Sequence, residues 1–222
     1  MDVTVNRTFT YNPPQGVLDI LHIDDDLILI NKPSGLLSVP GKAETHKDSL
    51  QTRLKSEHPD SLLVHRLDMA TSGIMVFARN KAAQRHLGLQ FEKRYIEKTY
   101  VTVVAGIVEQ DEGEIDLPLI ADWPNRPRQK VDFEIGKSAL TKWEIAERLS
   151  DRTRLYLYPK TGRSHQLRVH MMEIGHPILG DRIYAGDESF KAAPRLLLHA
   201  EGLMLRHPNG GEPREFICKS PF

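Results

Sequence analysis

Three polar stretches of this chain hold residue types and spacings that could do chemistry. The first is His65-Arg66-Leu67-Asp68-Met69-Ala70-Thr71-Ser72-Gly73, set between apolar segments at residues 62–65 and 73–78. A carboxylate in a loop between two strands, flanked by an arginine and by small or hydroxylated residues, is placed to act at a cleft. The same residues also suit a turn in which Asp68 bonds its own backbone. The second stretch, residues 160–170, loads a helix start with donors. Free amides at a helix N-terminus, with Arg163, His165 and Gln166 beside them, suit a phosphate or carboxylate ligand, although an exposed capped helix would look similar. The third, Asp122-Trp123-Pro124-Asn125-Arg126-Pro127-Arg128-Gln129-Lys130, is basic, stiffened by proline and carries one aromatic. It fits a clamp on RNA, in which Asn125, Arg126, Arg128 and Lys130 meet the backbone and bases stack on aromatic or guanidinium planes, or else a plain connecting loop.

Other chemistries find no support. There is no phosphate-binding loop ending in Gly-Lys-Ser/Thr, no dinucleotide fingerprint, no Gly-x-Ser-x-Gly elbow and no His-Glu-x-x-His. His165, His170 and His176 are spaced by five and six residues, which does not align imidazoles on one helical face, so no metal site is expected.

These stretches need elements to position them. Residues 17–23 and 27–31 read as a hairpin around three aspartates. Residues 48–58 suggest a short helix capped by Asp48, with Leu50 and Leu54 inward. Asn80 is a good cap for a second helix, in which Ala83, Leu87 and Phe91 form the buried stripe and the stop falls near Arg94. Strands are expected at 98–105, where Tyr100, Thr102 and Val104 share a face, and at 115–120, 131–135, 139–148, 154–159, 196–198, 203–206 and 215–218. A third helix over 164–174 is expected to be capped by Ser164 and to bury Leu167, Met171 and Ile174, with Arg168 bordering that stripe.

The composition narrows the class. The chain has 222 residues with 30 Lys+Arg against 30 Asp+Glu, enough for one large domain or two lobes sharing a core. No apolar run approaches the length of a membrane span. A single cysteine, Cys218, excludes an internal disulfide, and a reducing cytoplasm is the expected location. The zero net charge hides a segregation. Residues 105–122 hold six acidic residues and no Lys or Arg, whereas 123–168 hold eleven Lys+Arg against five acids, a local +6. Such a tract would seat a phosphate backbone if its charges stayed together in space.

Taken together, NKPSGLLSVPG from Asn31, HRLDMATSG, LPLIADWPNRPRQKV, TGRSHQLRVH, GHPILGDRIYA and RLLLHAE resemble the RluA-type family of pseudouridine synthases over most of the chain. The resemblance implies isomerisation of uridine in RNA: the N1–C1′ bond breaks, the uracil turns in place, and C5 joins C1′, with no cofactor or metal. It implies an α+β fold with a mixed, largely antiparallel central sheet, flanking helices and a catalytic cleft between two intimately joined lobes. Residues 1–222 would then form one catalytic domain, acting as a monomer. The family's larger members carry an N-terminal S4 module, and none is expected here because only about 16 residues precede the first hairpin. By resemblance Asp68 matches the catalytic aspartate, Tyr100 the active-site tyrosine and Arg168 the basic residue that pairs with the aspartate. Arg66 matches the arginine that fills the gap left by an extruded nucleotide, Leu198 the apolar residue packed on the catalytic ring, and His65 flanks the substrate. The DWPNRP segment narrows the likeness to the branch with dual specificity, for a uridine in 23S rRNA and one in a tRNA anticodon stem-loop. Two alternatives stay open: a glycosylase or nucleosidase that releases the base, and an RNA-binding module without turnover.

Overall fold

The computed structural model describes residues 10–222. Along the chain these form β1 (Asp19–Ile23), β2 (Leu27–Lys32), α1 (Leu50–Glu57), β3 (Leu62–Leu63), β4 (Ser72–Ala78), α2 (Lys81–Glu92) and β5 (Glu97–Ala105). There follow β6 (Glu112–Asp116), β7 (Leu119–Ala121), β8 (Gln129–Val131), β9 (Leu140–Arg148), β10 (Arg152–Pro159), α3 (Gln166–Glu173), α4 (Asp187–Lys191), β11 (Leu198–Arg206) and β12 (Pro213–Ile217). β1 with β2, β2 with β4, β3 with β4, β11 with β12, β5 with β10, β9 with β10, β6 with β9 and β7 with β8 pair antiparallel and β11 with β4 parallel, so the mixed, largely antiparallel α+β architecture expected from the sequence is present. Among the described residues no helix is long and apolar enough to cross a membrane.

The described chain divides into two compact units, one of residues 10–98 with 199–221, the other of residues 99–198 with 222. The first contains the run β1-β2-β4-β11, with β3 on β4 and β12 on β11. Its central strand β4 is buried along its whole length, as a strand covered on both faces must be. Leu27 and Leu29 of β2, Ile74 and Val76 of β4, Ala83 and Leu87 of α2 and Leu203 and Leu205 of β11 make its core. The parallel pairing of His199 with Ser72 and Ala200 with Gly73 has a specific requirement. Gly73 has φ of +111°, and a Cβ there would lie 2.3 Å from the carbonyl oxygen of Ala200, so only glycine lets the two backbones meet. Beside it the buried His199 ring joins the Ser72 hydroxyl (2.8 Å) to the carbonyl of Cys218 (2.9 Å).

The second unit contains β5-β10-β9-β6 and the small β7–β8 ribbon. In β10, residues 153, 155, 157 and 159 are buried and their neighbours are not, as a strand with one face to the core requires. Pairing of β6 with β9 brings the acidic and basic segments together: Lys142 lies 3.6 Å from Glu114, and Arg148 lies 2.8 Å from Asp111 and also donates to the carbonyls of Val108 and Glu109. The segregation seen along the chain is therefore partly neutralised in space.

Several local expectations are corrected. Helix α1 is capped by Ser49, whose Oγ accepts from Thr52 N–H, while Asp48 makes a two-pronged pair with Arg53 at 2.7 Å. Residues 132–136 form a turn instead of a strand, because Asp132 Oδ1 accepts from both Glu134 N–H and Ile135 N–H. The expected strand at 115–120 is two strands, β6 and β7, and those at 196–198 and 203–206 are one, β11. Helix α3 starts at Gln166 with His165 at its N-cap in a left-handed conformation and no side-chain cap, so Ser164 does not close it. The short helix α4 was not foreseen.

Candidate active site

The loop carrying Asp68 is braced on both sides of that residue by the segment after β2. Ser38 Oγ donates to Leu67 O (2.6 Å) and accepts from Leu67 N–H (3.2 Å). Gly35 N–H and Lys32 Nζ both donate to Met69 O, at 2.9 and 3.0 Å, and Ser34 Oγ donates to Ala70 O at 2.7 Å. Thr71 N–H then closes a turn onto Asp68 O. Lys32 is fully buried, and its ammonium also reaches the carbonyls of Pro33 and Leu36. A buried charge persists only where hydrogen bonds replace water, and here three carbonyl oxygens do so. Lys32→Met is expected to lower stability by about 3 kcal/mol, since three carbonyls lose their donor. Urea unfolding checks this, and an unchanged midpoint would contradict it. The remaining braces should hold the Asp68 loop in place.

His65 and Arg66 lie just before that brace. His65 Nε2 accepts from Val76 N–H at 3.1 Å, and its ring stacks on Phe91 with centroids 4.6 Å apart. Burial, and secondarily the charge of Lys98, pull its pKa down to about 3. His65, expected to flank substrate, thus has one ring nitrogen and one ring face committed to the fold. Its folded pKa lies below the unfolded value of about 6.5, so the unfolded chain binds more protons in between. Stability should be fullest above pH ~6.5 and fall as pH drops towards 3, by up to ~1.4 kcal/mol per unit from this residue. Thermal melts from pH 7 to 4.5 should show that slope reduced in His65→Asn. Arg66 is exposed and forms no ion pair among the described residues.

In the other unit, α3 is buried nearly all round. Arg168 is 4% exposed, and its Nε and Nη2 each donate to Asp181 at 2.7 Å. Burial pushes the Asp181 carboxyl up. The Arg168 guanidinium and the N–H groups of Ile183 and Tyr184 outweigh that and hold it below the usual carboxylate range. The Tyr184 hydroxyl accepts from Gln129 N–H at 2.8 Å and meets His165 Nδ1 at 2.7 Å, while Arg128 and Arg168 lie 5.3 and 5.1 Å from its ring. Asp181 and Tyr184 therefore organise this region, and neither was singled out from sequence. Their signal lay in the GDRIYA stretch, whose partners are 13 to 56 residues distant. Tyr100 is half-buried on β5 opposite Leu157, and Leu198 is buried next to Leu197, whose carbonyl accepts from Thr102 Oγ1 and Val103 N–H.

Gln166 is a correction. Its Oε1 accepts from Thr161 Oγ1 and Arg163 N–H and its Nε2 donates to Leu140 O and Thr141 Oγ1, so the amide is used up inside the protein. Arg163 donates to Ser138 O and retains exposed surface. His170 likewise turns inward, to Thr141 Oγ1 and Leu117 O. In the 122–130 loop, Arg126 lies 3.0 Å above the ring of Trp123, which is 68% exposed, so cation and aromatic form one platform. Arg128 donates to Ile183 O at 2.7 Å and anchors the loop, Asn125 Nδ2 donates to Asp122, and Lys130 is exposed, 3.7 Å from Asp132.

The aspartate loop is braced and the 122–130 loop is basic and aromatic, the residue types expected from the sequence for an enzyme acting on RNA. Comparison with known proteins makes this specific. The RNA pseudouridylate synthase family matches residues 26–173. The chain is 56% identical over 214 residues, covering 96% of itself and 98% of the relative, to the dual-specificity RNA pseudouridine synthase RluA of Escherichia coli O157:H7. It is 52% identical, with the same coverage, to the protein of that name from Haemophilus influenzae. The solved structure of human RNA pseudouridylate synthase domain containing 1 superposes with a TM-score of 0.79 at 27% identity, covering 95% of this chain and 87% of that one. This chain belongs to the RNA pseudouridylate synthase family. It is an isomerase that forms pseudouridine in RNA, which sets aside the base-releasing and non-catalytic alternatives.

Proposed function

We propose that this enzyme converts a uridine in 23S rRNA and one in a tRNA anticodon stem-loop, acting as a cytoplasmic monomer, with Asp68 as its catalytic carboxylate. The observation that carries the assignment of Asp68 is its loop, fixed on both flanks by side-chain and backbone donors and preceded by an exposed Arg66 without an ion pair. A stacked uridine must first leave its helix, at a cost of a few kcal/mol. Arg66 would occupy the gap, and the Trp123–Arg126 platform with Lys130 would hold the backbone and a splayed base.

Asp68 then acts on the ribose so that N1–C1′ breaks. The released uracil turns, C5 bonds to C1′, the C5 proton leaves and N1 gains one, so the sum of atoms is unchanged. Tyr100 is assigned to stack on the uracil and to take the C5 proton through its hydroxyl. Arg168, aligned by Asp181, is assigned to keep Asp68 ionised. The two RNA classes are supported by the dual-specificity relatives and by the DWPNRP loop. Mapping of pseudouridines in total RNA from cells with and without the protein tests the reading. Sites lost from both 23S rRNA and tRNA are expected, and sites lost from neither would refute the substrate assignment.

A further inference from the structure

Two residues other than glycine have positive φ among the described residues, Arg94 (+60°) and His165 (+54°). His165 is part of the site above, but Arg94 is not. It follows the C-cap of α2, where Lys93 N–H returns to Leu89 O and Tyr95 N–H to Gln90 O. Helices ordinarily place glycine at this left-handed position, because a Cβ there is strained. A cation near a helix C-terminus complements the helix dipole, but Lys93 already does that in a relaxed conformation. Strain retained at an exposed position points to use of the side chain.

The surroundings say what that use is. Arg85, Lys93 and Arg94 are all exposed, and none forms an ion pair among the described residues. Tyr95 beside them is 67% exposed. The last turn of α2 touches the Asp68 loop, since Phe91 stacks on His65, the residue before Arg66. Arg85 lies two turns before the end of α2 at Glu92, a rise of about 10 Å, so these cations are spread along the end of the helix and not gathered at one point. Within residues 85–97 the acids are Glu92 and Glu97, against Arg85, Lys93 and Arg94, none of which forms an ion pair among the described residues.

We infer that the end of α2, through Arg85, Lys93, Arg94 and Tyr95, is a second RNA-contacting surface. It grips the phosphate backbone next to the strand that Arg66 enters, and Tyr95 packs on a ribose or base there. The inference rests on the reading of the Asp68 loop for where the RNA lies.

The test uses the full-length protein and a hairpin RNA with a uridine-containing loop. Arg94→Gly relieves the strain and removes the charge, so two readouts should move in opposite directions. Its melting temperature should rise by about 2–4 °C. Its affinity for the hairpin should fall about three- to tenfold, with the slope of log K against log salt reduced by about 0.7–0.9. Arg94→Gln keeps the strain and should show the same affinity and slope changes without the rise in melting temperature. Lys55→Gln, on α1, should bind as the wild type does. Wild-type affinity and slope in either Arg94 variant would overturn the inference and leave the catalytic reading intact. Near wild-type conversion of the hairpin by Asp68→Asn would instead overturn the catalytic reading, whatever the Arg94 variants show.

Discussion

Asp68→Asn is expected to reduce pseudouridine formation by about 10³-fold or more while the protein still folds and still binds RNA. Asparagine has nearly the shape of aspartate, and the loop is held by contacts that do not involve the carboxylate: Ser38 to Leu67, Gly35 and Lys32 to Met69, and Ser34 to Ala70. These braces survive the substitution, so the variant should fold and hairpin affinity should stay near wild type. Single-turnover conversion of a labelled hairpin, with base composition read after digestion, measures the effect. Turnover within tenfold of wild type would remove Asp68 from the reaction.

The second large effect concerns the buried pair of α3. Arg168→Ala leaves the Asp181 carboxylate, whose side chain is 0% exposed, without its counter-charge. Breaking such a pair from one side costs about 3–5 kcal/mol. The sign with pH is specific. In the wild type the Asp181 pKa is depressed, so the pair's contribution is complete above pH ~4 and is lost as pH falls through the folded value. In Arg168→Ala, burial is no longer opposed by the guanidinium, the carboxyl protonates more readily, and the gap to wild type should narrow as pH is lowered. Activity should fall about 10²-fold or more. The double variant Arg168→Met/Asp181→Asn, in which the amide oxygen can still accept from Ile183 and Tyr184, should regain part of the stability and none of the activity. Denaturant unfolding from pH 4 to 8 and conversion assays read the two effects separately. Recovery of activity in the double variant would show that Arg168 acts only through stability.

What the sequence revealed and what it hid divide along a physical line. Helix α2 was legible because its cap, stripe and end are set by neighbours: Asn80 accepts from Ala83 N–H, and Ala83 and Leu87 are buried. Strand β10 was legible from its alternation. The Asp68 loop was legible as a polar interruption between apolar segments, but not its braces, which come from residues 32–38 and leave no mark on residues 65–73. Asp181 was missed because its importance comes from Arg168, thirteen positions earlier, and Gln166 was misread because four distant partners consume its amide. The charge runs misled for the same reason: β6 and β9 pair, so Lys142 and Arg148 meet Glu114 and Asp111. The strand expected at 131–135 was a matter of local competition, in which the Asp132 side chain captured two amides that a ladder would have used.

The interrupted make-up of the first unit has a consequence for biogenesis. Strand β4, buried throughout, takes its parallel neighbour from β11, and residues 79–197 lie between the two and must be made first. Until then the nascent polypeptide carries an apolar edge that nothing covers, and the aspartate loop entering β4 has no finished support. Completion of this half of the molecule should therefore wait for a contact between distant parts of the chain, which makes its folding slow relative to its local hairpins.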